Sequence, residues 1–167
     1  MHINDQGKNF KFREISWTRK HQTRYRFLAL PNADGFVLGI DQLFGDNTFG
    51  PNAHQPFARD GFHALRKFDT NDLGNAAERE ASIHSIDASD SIYTSLRLWH
   101  DANGDGNCDT PEEIRTELST LKSHGIAFIH LAPNEKFFET DVYGNDSAYK
   151  SVVGFQTPDG RPKFGTA

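Results

Sequence analysis

The chain has 167 residues, 36% hydrophobic and 25% charged, with a net charge of −5; this size and balance fit one folded domain and exclude a disordered composition. A single cysteine, Cys108, excludes an internal disulfide, and the lack of CxxC or Cys/His clusters excludes a structural zinc site. No stretch approaches the roughly 20 apolar residues of a membrane span, and the opening MHINDQGKNFKF lacks a signal-peptide core.

Charge is unevenly distributed. Residues 69–117 carry twelve Asp and Glu against three Arg and no Lys, whereas the first 26 residues carry seven Lys and Arg against two acids. The basic start is not read as a nucleic-acid surface, because KFREISW and TRYRFLAL alternate charged and apolar residues as half-exposed strands do. Residues 10 to 30 are therefore expected to form a hairpin turning near Thr18 to Gln22. From Pro31 to Pro56, Gly, Asn, Asp and Pro dominate and turns are expected.

Three helices are predicted next. Asp60 caps the first, with Phe62, Leu65 and Phe68 on one side; Asp90 caps the second, with Ile92, Leu96 and Trp99; the third carries Ile114, Leu118 and Leu121 and stops at Gly125. IAFIHL reads as a buried strand. FFETDVYG and YKSVVGFQT read as a closing pair joined through Gly144 and Asn145, and the tail from Pro158 is turn-rich. The fold class is α+β: one domain over residues 1–167, with short helices flanking acidic loops and packed with antiparallel hairpins.

The run DANGDGNCDTPE carries the chemistry. It places oxygen donors at Asp101, Asn103, Asp105, Asp109 and Glu112, positions one, three, five, nine and twelve of an EF-hand-like loop. Gly106 sits at position six, where the chain turns sharply, and Asn107 at position seven offers its carbonyl. Many hard oxygen donors suit Ca²⁺ better than Mg²⁺ or Zn²⁺. Glu113 follows Glu112, so either could close the loop; spacing favours Glu112. Cys108 occupies position eight, and the surrounding carboxylates make it a poor nucleophile.

A second, expanded loop begins with Asp69 and Asn71 and ends with Asp87 and Asp90, some ten residues longer than a regular loop. It either closes on calcium, with Asp72, Glu78 or Glu80 replacing the missing donor, or is metal-free. A single helix between Asp90 and Asp101 would hold the two loops roughly 15 Å apart at 1.5 Å per residue.

The segments YRFLALPNADG, QLFGDNT, DGFHALRKFD, IDASDSIYTSLRLWHDANGDG and ELSTLKSHGIAFIHL resemble, in the same order, a calcium-binding module of large secreted RTX (hemolysin-type) bacterial proteins. The resemblance runs from about Ile15 to Leu131 and is similar to the calcium-dependent self-processing module, which cuts an Asp-Pro bond and can join the released Asp to a lysine. It implies calcium as ligand and a secreted protein, exported without a cleaved N-terminal signal; a cytosolic chain is the other expectation. The family's further calcium loop corresponds here to LPNADGFVLGIDQ, with Leu30 in place of the leading Asp and Gln42 in place of Glu. That site is expected to be weakened, leaving Asn32, Asp34 and Asp41. No Asp-Pro pair occurs in the sequence.

No HExxH or GxSxG motif is present. The reading is a non-enzymatic, calcium-stabilised domain whose partner or parent chain is unspecified. The alternative is a self-processing or protein-crosslinking module acting on an Asp-Pro bond supplied elsewhere. A dockerin-like module lacks support because the duplicated loop-helix segments are missing.

Overall fold

A computed structural model describes residues 25–45, 60–70, 84–134, 136–140, 146–147, 149–156 and 162–166. Strand β1 (Phe27–Ala29) pairs with β3 (Arg97–Trp99), which pairs in turn with β4 (Leu118–Thr120), all antiparallel. A second antiparallel sheet takes the order β2 (Ser85–Asp87), β5 (Ile126–His130), β8 (Val152–Gln156) and β9 (Pro162–Thr166). β6 (Glu139–Thr140) and β7 (Asp146–Ser147) form a two-stranded ribbon. With helices α1 (Gly61–Leu65) and α2 (Pro111–Glu117), the described residues form an α+β structure.

Each helix starts on a local signal. Asp60 caps α1 by accepting a hydrogen bond from the His63 amide at 2.7 Å. Pro111 opens α2, and Thr110 and Glu113 form a reciprocal capping box at its N-terminus. The first predicted helix extends beyond α1 as a 3₁₀ turn over Arg66–Phe68.

The second predicted helix does not form. Ser91–Thr94 makes a 3₁₀ turn and Arg97–Trp99 becomes the central strand of the three-stranded sheet. Ile92, Leu96 and Trp99 are all buried, but on two cores: the first two join the larger one and Trp99 the smaller. Helical spacing therefore arose from burial alone, and strand pairing on both edges outweighed it. The single helix expected to separate the two acidic loops is absent accordingly. The third predicted helix stops at Glu117, because Leu118–Thr120 pairs with β3. Gly125 does end a helical turn, the 3₁₀ segment Lys122–His124, in the left-handed conformation (φ 68°).

β5 is the predicted IAFIHL strand and lies at the centre of its sheet. The closing pair is rearranged: Glu139–Thr140 pairs with Asp146–Ser147, while Val152–Gln156 fits between β5 and β9. The tail predicted to be turns is strand β9 over Pro162–Thr166. Of the predicted N-terminal hairpin, Phe27–Ala29 is a strand paired with β3, and the Thr18 to Gln22 turn lies outside the described residues.

The larger core gathers Leu65, Ile86, Leu96, Leu121, Ile129, Leu131 and neighbours between the second sheet and α1. The smaller gathers Ala29, Val37, Trp99 and Cys108, with Phe27, Leu43, Ile114 and Leu118 against them. Gly154 of β8 lies opposite Phe128 of β5, and the Phe128 ring occupies the space a side chain there would need. Gly154→Ala is expected to lower stability by about 2 kcal/mol through this overlap, measured by urea unfolding; an unchanged midpoint would show that the ring moves aside freely.

Candidate functional site

The acidic loop leaves β3 at His100 and delivers the chain to α2. Gly104 and Gly106 adopt left-handed conformations (φ 79° and 78°), and the chain curls around the side chain of Asp101. Asp101 is 2% exposed; its Oδ1 accepts from the Gly104 amide at 2.7 Å and its Oδ2 from the Gly106 amide at 3.0 Å. Asn103 Oδ1 accepts from the Asp105 amide at 2.9 Å, and Asp105 Oδ1 from the Asn107 amide at 2.8 Å. Successive side-chain oxygens thus fold back on the loop, with the short polar residues supplying their own turns.

The two glutamates point in different directions. Glu112 is turned to solvent and pairs with Arg115. Glu113 reaches back: its Oε1 accepts from Asn103 Nδ2 at 2.9 Å, and its Oε2 accepts from the amides of Asp109 and Thr110, both at 3.1 Å. The Thr110 hydroxyl and then the Asp109 amide hold the Glu113 carboxyl below its ordinary value of 4.5. A lowered folded-state pKa contributes stability above the unfolded value and loses it as pH falls through the folded one. In EDTA, the difference in unfolding temperature between wild type and Glu113→Gln is therefore expected to shrink as pH falls below about 4. A difference constant from pH 7 to pH 3 would contradict this role.

Glu117 escaped the sequence reading. It is 4% exposed, its Oε2 accepts from Trp99 Nε1 at 3.1 Å and its Oε1 from the Ala102 amide at 3.0 Å, while its carbonyl accepts from the His100 amide. It braces the start of the loop from the far end of α2. The available signal was its position three residues after Ile114, on the helix's apolar side.

Cys108 is fully buried in the smaller core, its thiol pushed up to about 12 by burial first and then by Glu117, Glu113, Asp109 and Asp105. Its side chain packs with Ala29, Val37 and Trp99. Its backbone exchanges two hydrogen bonds with Val37: Val37 donates to the Cys108 carbonyl at 3.0 Å and Cys108 to the Val37 carbonyl at 2.7 Å. The loop is thereby joined side by side to the Leu30–Gln42 segment.

The ends of the expanded segment also meet. Asp90, 2% exposed, accepts from the Thr70 amide (2.7 Å) and hydroxyl (2.9 Å) on Oδ1 and from the Asp87 amide (2.9 Å) on Oδ2. Asp69 Oδ2 lies 3.3 Å from His84 Nδ1, and Asp87 Oδ1 accepts from the amide and hydroxyl of Ser89. Asn71 lies outside the described residues. Asp90, predicted to cap a helix, instead ties Thr70 to the turn after β2.

Among the described residues, no three His, Cys, Asp or Glu side chains converge closely enough to hold a metal ion. The donor chemistry of the Asp101 loop is of another kind, mixing carboxylates, the Asn103 amide oxygen and backbone carbonyls, and that mixture fits a hard cation of flexible coordination. Among the same residues, no helix is long and apolar enough to cross a membrane.

The fold and the site together define a small α+β domain in which an acidic loop is seated against a second loop of the same chain. The chain belongs to the SPM domain family, whose model matches residues 4–163. It is also 34% identical over 101 residues to the iron-regulated protein FrpA of Neisseria meningitidis serogroup C. That match covers 60% of this chain and 8% of the relative's length.

Proposed function

We propose that the chain is a calcium-binding domain, part of or related to secreted RTX-type proteins, that stabilises when Ca²⁺ enters the Asp101–Glu112 loop. The observation that carries this reading is the wrapping of the loop around buried Asp101, with left-handed Gly106 at position six and oxygen-bearing residues at alternate positions. Asp101, Asn103, Asp105, Asp109 and the Asn107 carbonyl would hold the ion, and Glu112 or Glu113 would close it by a change of side-chain conformation. Bound calcium would supply positive charge where Asp101, Asp105, Asp109, Glu112 and Glu113 crowd into thirteen residues.

The likeness to FrpA supports an RTX context; a domain of that kind would work outside the cell, where weak extracellular-type affinity suffices. Calorimetric titration of the whole chain with CaCl₂ tests the reading. A saturable heat that Asp101→Ala abolishes supports it; no heat in the wild type would overturn it.

A second reading, a self-processing or crosslinking domain, draws on the resemblance of segments such as IDASDSIYTSLRLWHDANGDG to the calcium-dependent self-processing module. With no Asp-Pro pair in the sequence, its bond would come from a parent chain or partner. Fusing an Asp-Pro junction upstream and adding Ca²⁺ tests it: a calcium-dependent mobility change on a denaturing gel supports it, and an intact fusion overturns it.

A further inference from the structure

The bridge between Val37 and Cys108 joins two loops that repeat each other at an interval of 71 residues. Asn32, Asp34 and Gly35 correspond to Asn103, Asp105 and Gly106, Val37 to Cys108, and Gln42 to Glu113. The correspondence extends to conformation. Gly35 and Gly106 are both left-handed (φ 87° and 78°), and Asn32 Oδ1 accepts from the Asp34 amide as Asn103 Oδ1 does from that of Asp105.

Gln42 repeats the work of Glu113. Its Oε1 accepts from the amides of Leu38 (3.0 Å) and Gly39 (2.9 Å), which stand at the same interval from Asp109 and Thr110, the partners of Glu113. Strand pairing obeys the same exchange: Phe27 pairs with Trp99 and Leu28 with Leu98, a register unchanged when the two copies are swapped. The two loops form a pseudo-twofold pair around the Val37–Cys108 bridge, above a shared small core.

The copies differ where a cation would be held. Leu30 replaces Asp101, Leu38 replaces Asp109, and the neutral Gln42 replaces Glu113. Leu30 packs against the larger core, so the leading position of this loop is apolar. The residues present do not fit a metal site. Gln42 and Asn32 instead close the loop by hydrogen bonds to four amides.

We infer that the Leu30–Gln42 loop is a metal-free half of a paired unit, that it is coupled to the Asp101 loop through the Val37–Cys108 bridge, and that Gln42 is a positioning residue for calcium bound in the other half. This rests on the calcium reading above. A cation that fixes the backbone at Cys108 must also fix the carbonyl and amide of Val37, and a loosened Val37 must in turn weaken the cation, because coupling is reciprocal. Gln42 acts through Val37: its Oε1 holds the amides of Leu38 and Gly39, the next residues along the chain, and Val37 is hydrogen-bonded to Cys108, between Asn107 and Asp109. Coupling between such linked sites changes affinity by about 5- to 150-fold.

The test has two arms. In the wild-type chain, amide hydrogen exchange at Gly104, Gly106, Cys108 and Val37 is compared in EDTA and in CaCl₂. The expected result is slower exchange at all four, including Val37, which offers no ligand. Protection of Gly104 and Gly106 with Val37 unchanged would overturn the coupling and leave the calcium reading standing; protection of none would overturn the calcium reading itself.

In the second arm, Gln42→Met, which keeps volume but removes the acceptor, should bind Ca²⁺ about tenfold more weakly by calorimetry, within the usual range of coupling between linked sites. Gln42→Glu keeps an oxygen facing Leu38 and Gly39 but gives up the amide that donates to Asp41 Oδ2; it should bind more tightly than Gln42→Met, and affinity no better than that of Gln42→Met would overturn the role of the acceptor. Unfolding in EDTA shows how much of the Gln42→Met effect is stability alone. Wild-type affinity in Gln42→Met would overturn the role of Gln42.

Discussion

Replacing Glu117 by alanine is expected to lower stability by about 3 kcal/mol, the largest loss at any polar residue of the site. The carboxylate sits where α2 meets β4 and accepts from two donors on different segments, the Trp99 indole and the Ala102 amide. Both donors would lose their acceptor in a buried place, and a buried unsatisfied donor costs more than a satisfied one contributes. Glu117→Gln keeps one acceptor oxygen and should lose about half as much. Denaturant unfolding followed by tryptophan fluorescence measures both variants, and a loss below about 0.5 kcal/mol for alanine would show that water satisfies these donors. Because Ala102 directly follows Asp101, the alanine variant should also weaken any ligand of the loop, as loss of an outer-shell support does.

Asp90→Ala is expected to cost about 2–3 kcal/mol, for a related reason with a different geometry. Three donors converge on this buried carboxylate, two from Thr70 and one from Asp87. It joins the end of the first helical segment to the turn after β2, two stretches twenty residues apart. Asp90→Asn retains Oδ1 for Thr70 and should recover part of the loss. The expected loss is the same in EDTA and in Ca²⁺, as suits a structural brace. A loss that grows in calcium would instead make Asp90 a ligand.

Much of the architecture was legible because it is written in local chemistry. Asp60 before an apolar repeat is a cap, and it caps; IAFIHL is continuous and apolar, and it is a buried central strand. The helix expected from Ile92, Leu96 and Trp99 shows the limit. A spacing of four and three reports that three residues are buried, not that they are buried on one side of one element. Here Ser91–Thr94 turns the chain between two cores, so the same periodicity serves a turn and a strand.

The alternation of Asp and Asn along the loop is plain in the sequence, yet the direction of each side chain is not. Glu112 and Glu113 are adjacent, and the capping box at Thr110 draws Glu113 inward while Glu112 meets Arg115 outside. Glu117 is invisible to any ligand pattern, since its function is to accept from Trp99 and Ala102 across the fold. The NxDG shared by residues 32–35 and 103–106 was present in the sequence. Spacing along the chain relates the Asp101 loop only to the loop ending at Asp90, at the other end of one expected helix, and offers it no partner alongside. The partner the Asp101 loop takes lies 71 residues upstream, brought alongside by the pairing of β1 with β3.

Thermal unfolding of the wild type and of Asp101→Ala, in EDTA and in Ca²⁺ on the order of millimolar, decides whether calcium stabilises this fold through the Asp101 loop. A ligand that binds only the folded state must raise its stability. At a hundredfold excess over the dissociation constant the wild type should gain about 5–10 °C, and Asp101→Ala, already less stable in EDTA through loss of the acceptor for Gly104 and Gly106, should gain nothing. A wild type that unfolds at the same temperature with and without Ca²⁺ would mean that the loop holds no calcium in the folded protein.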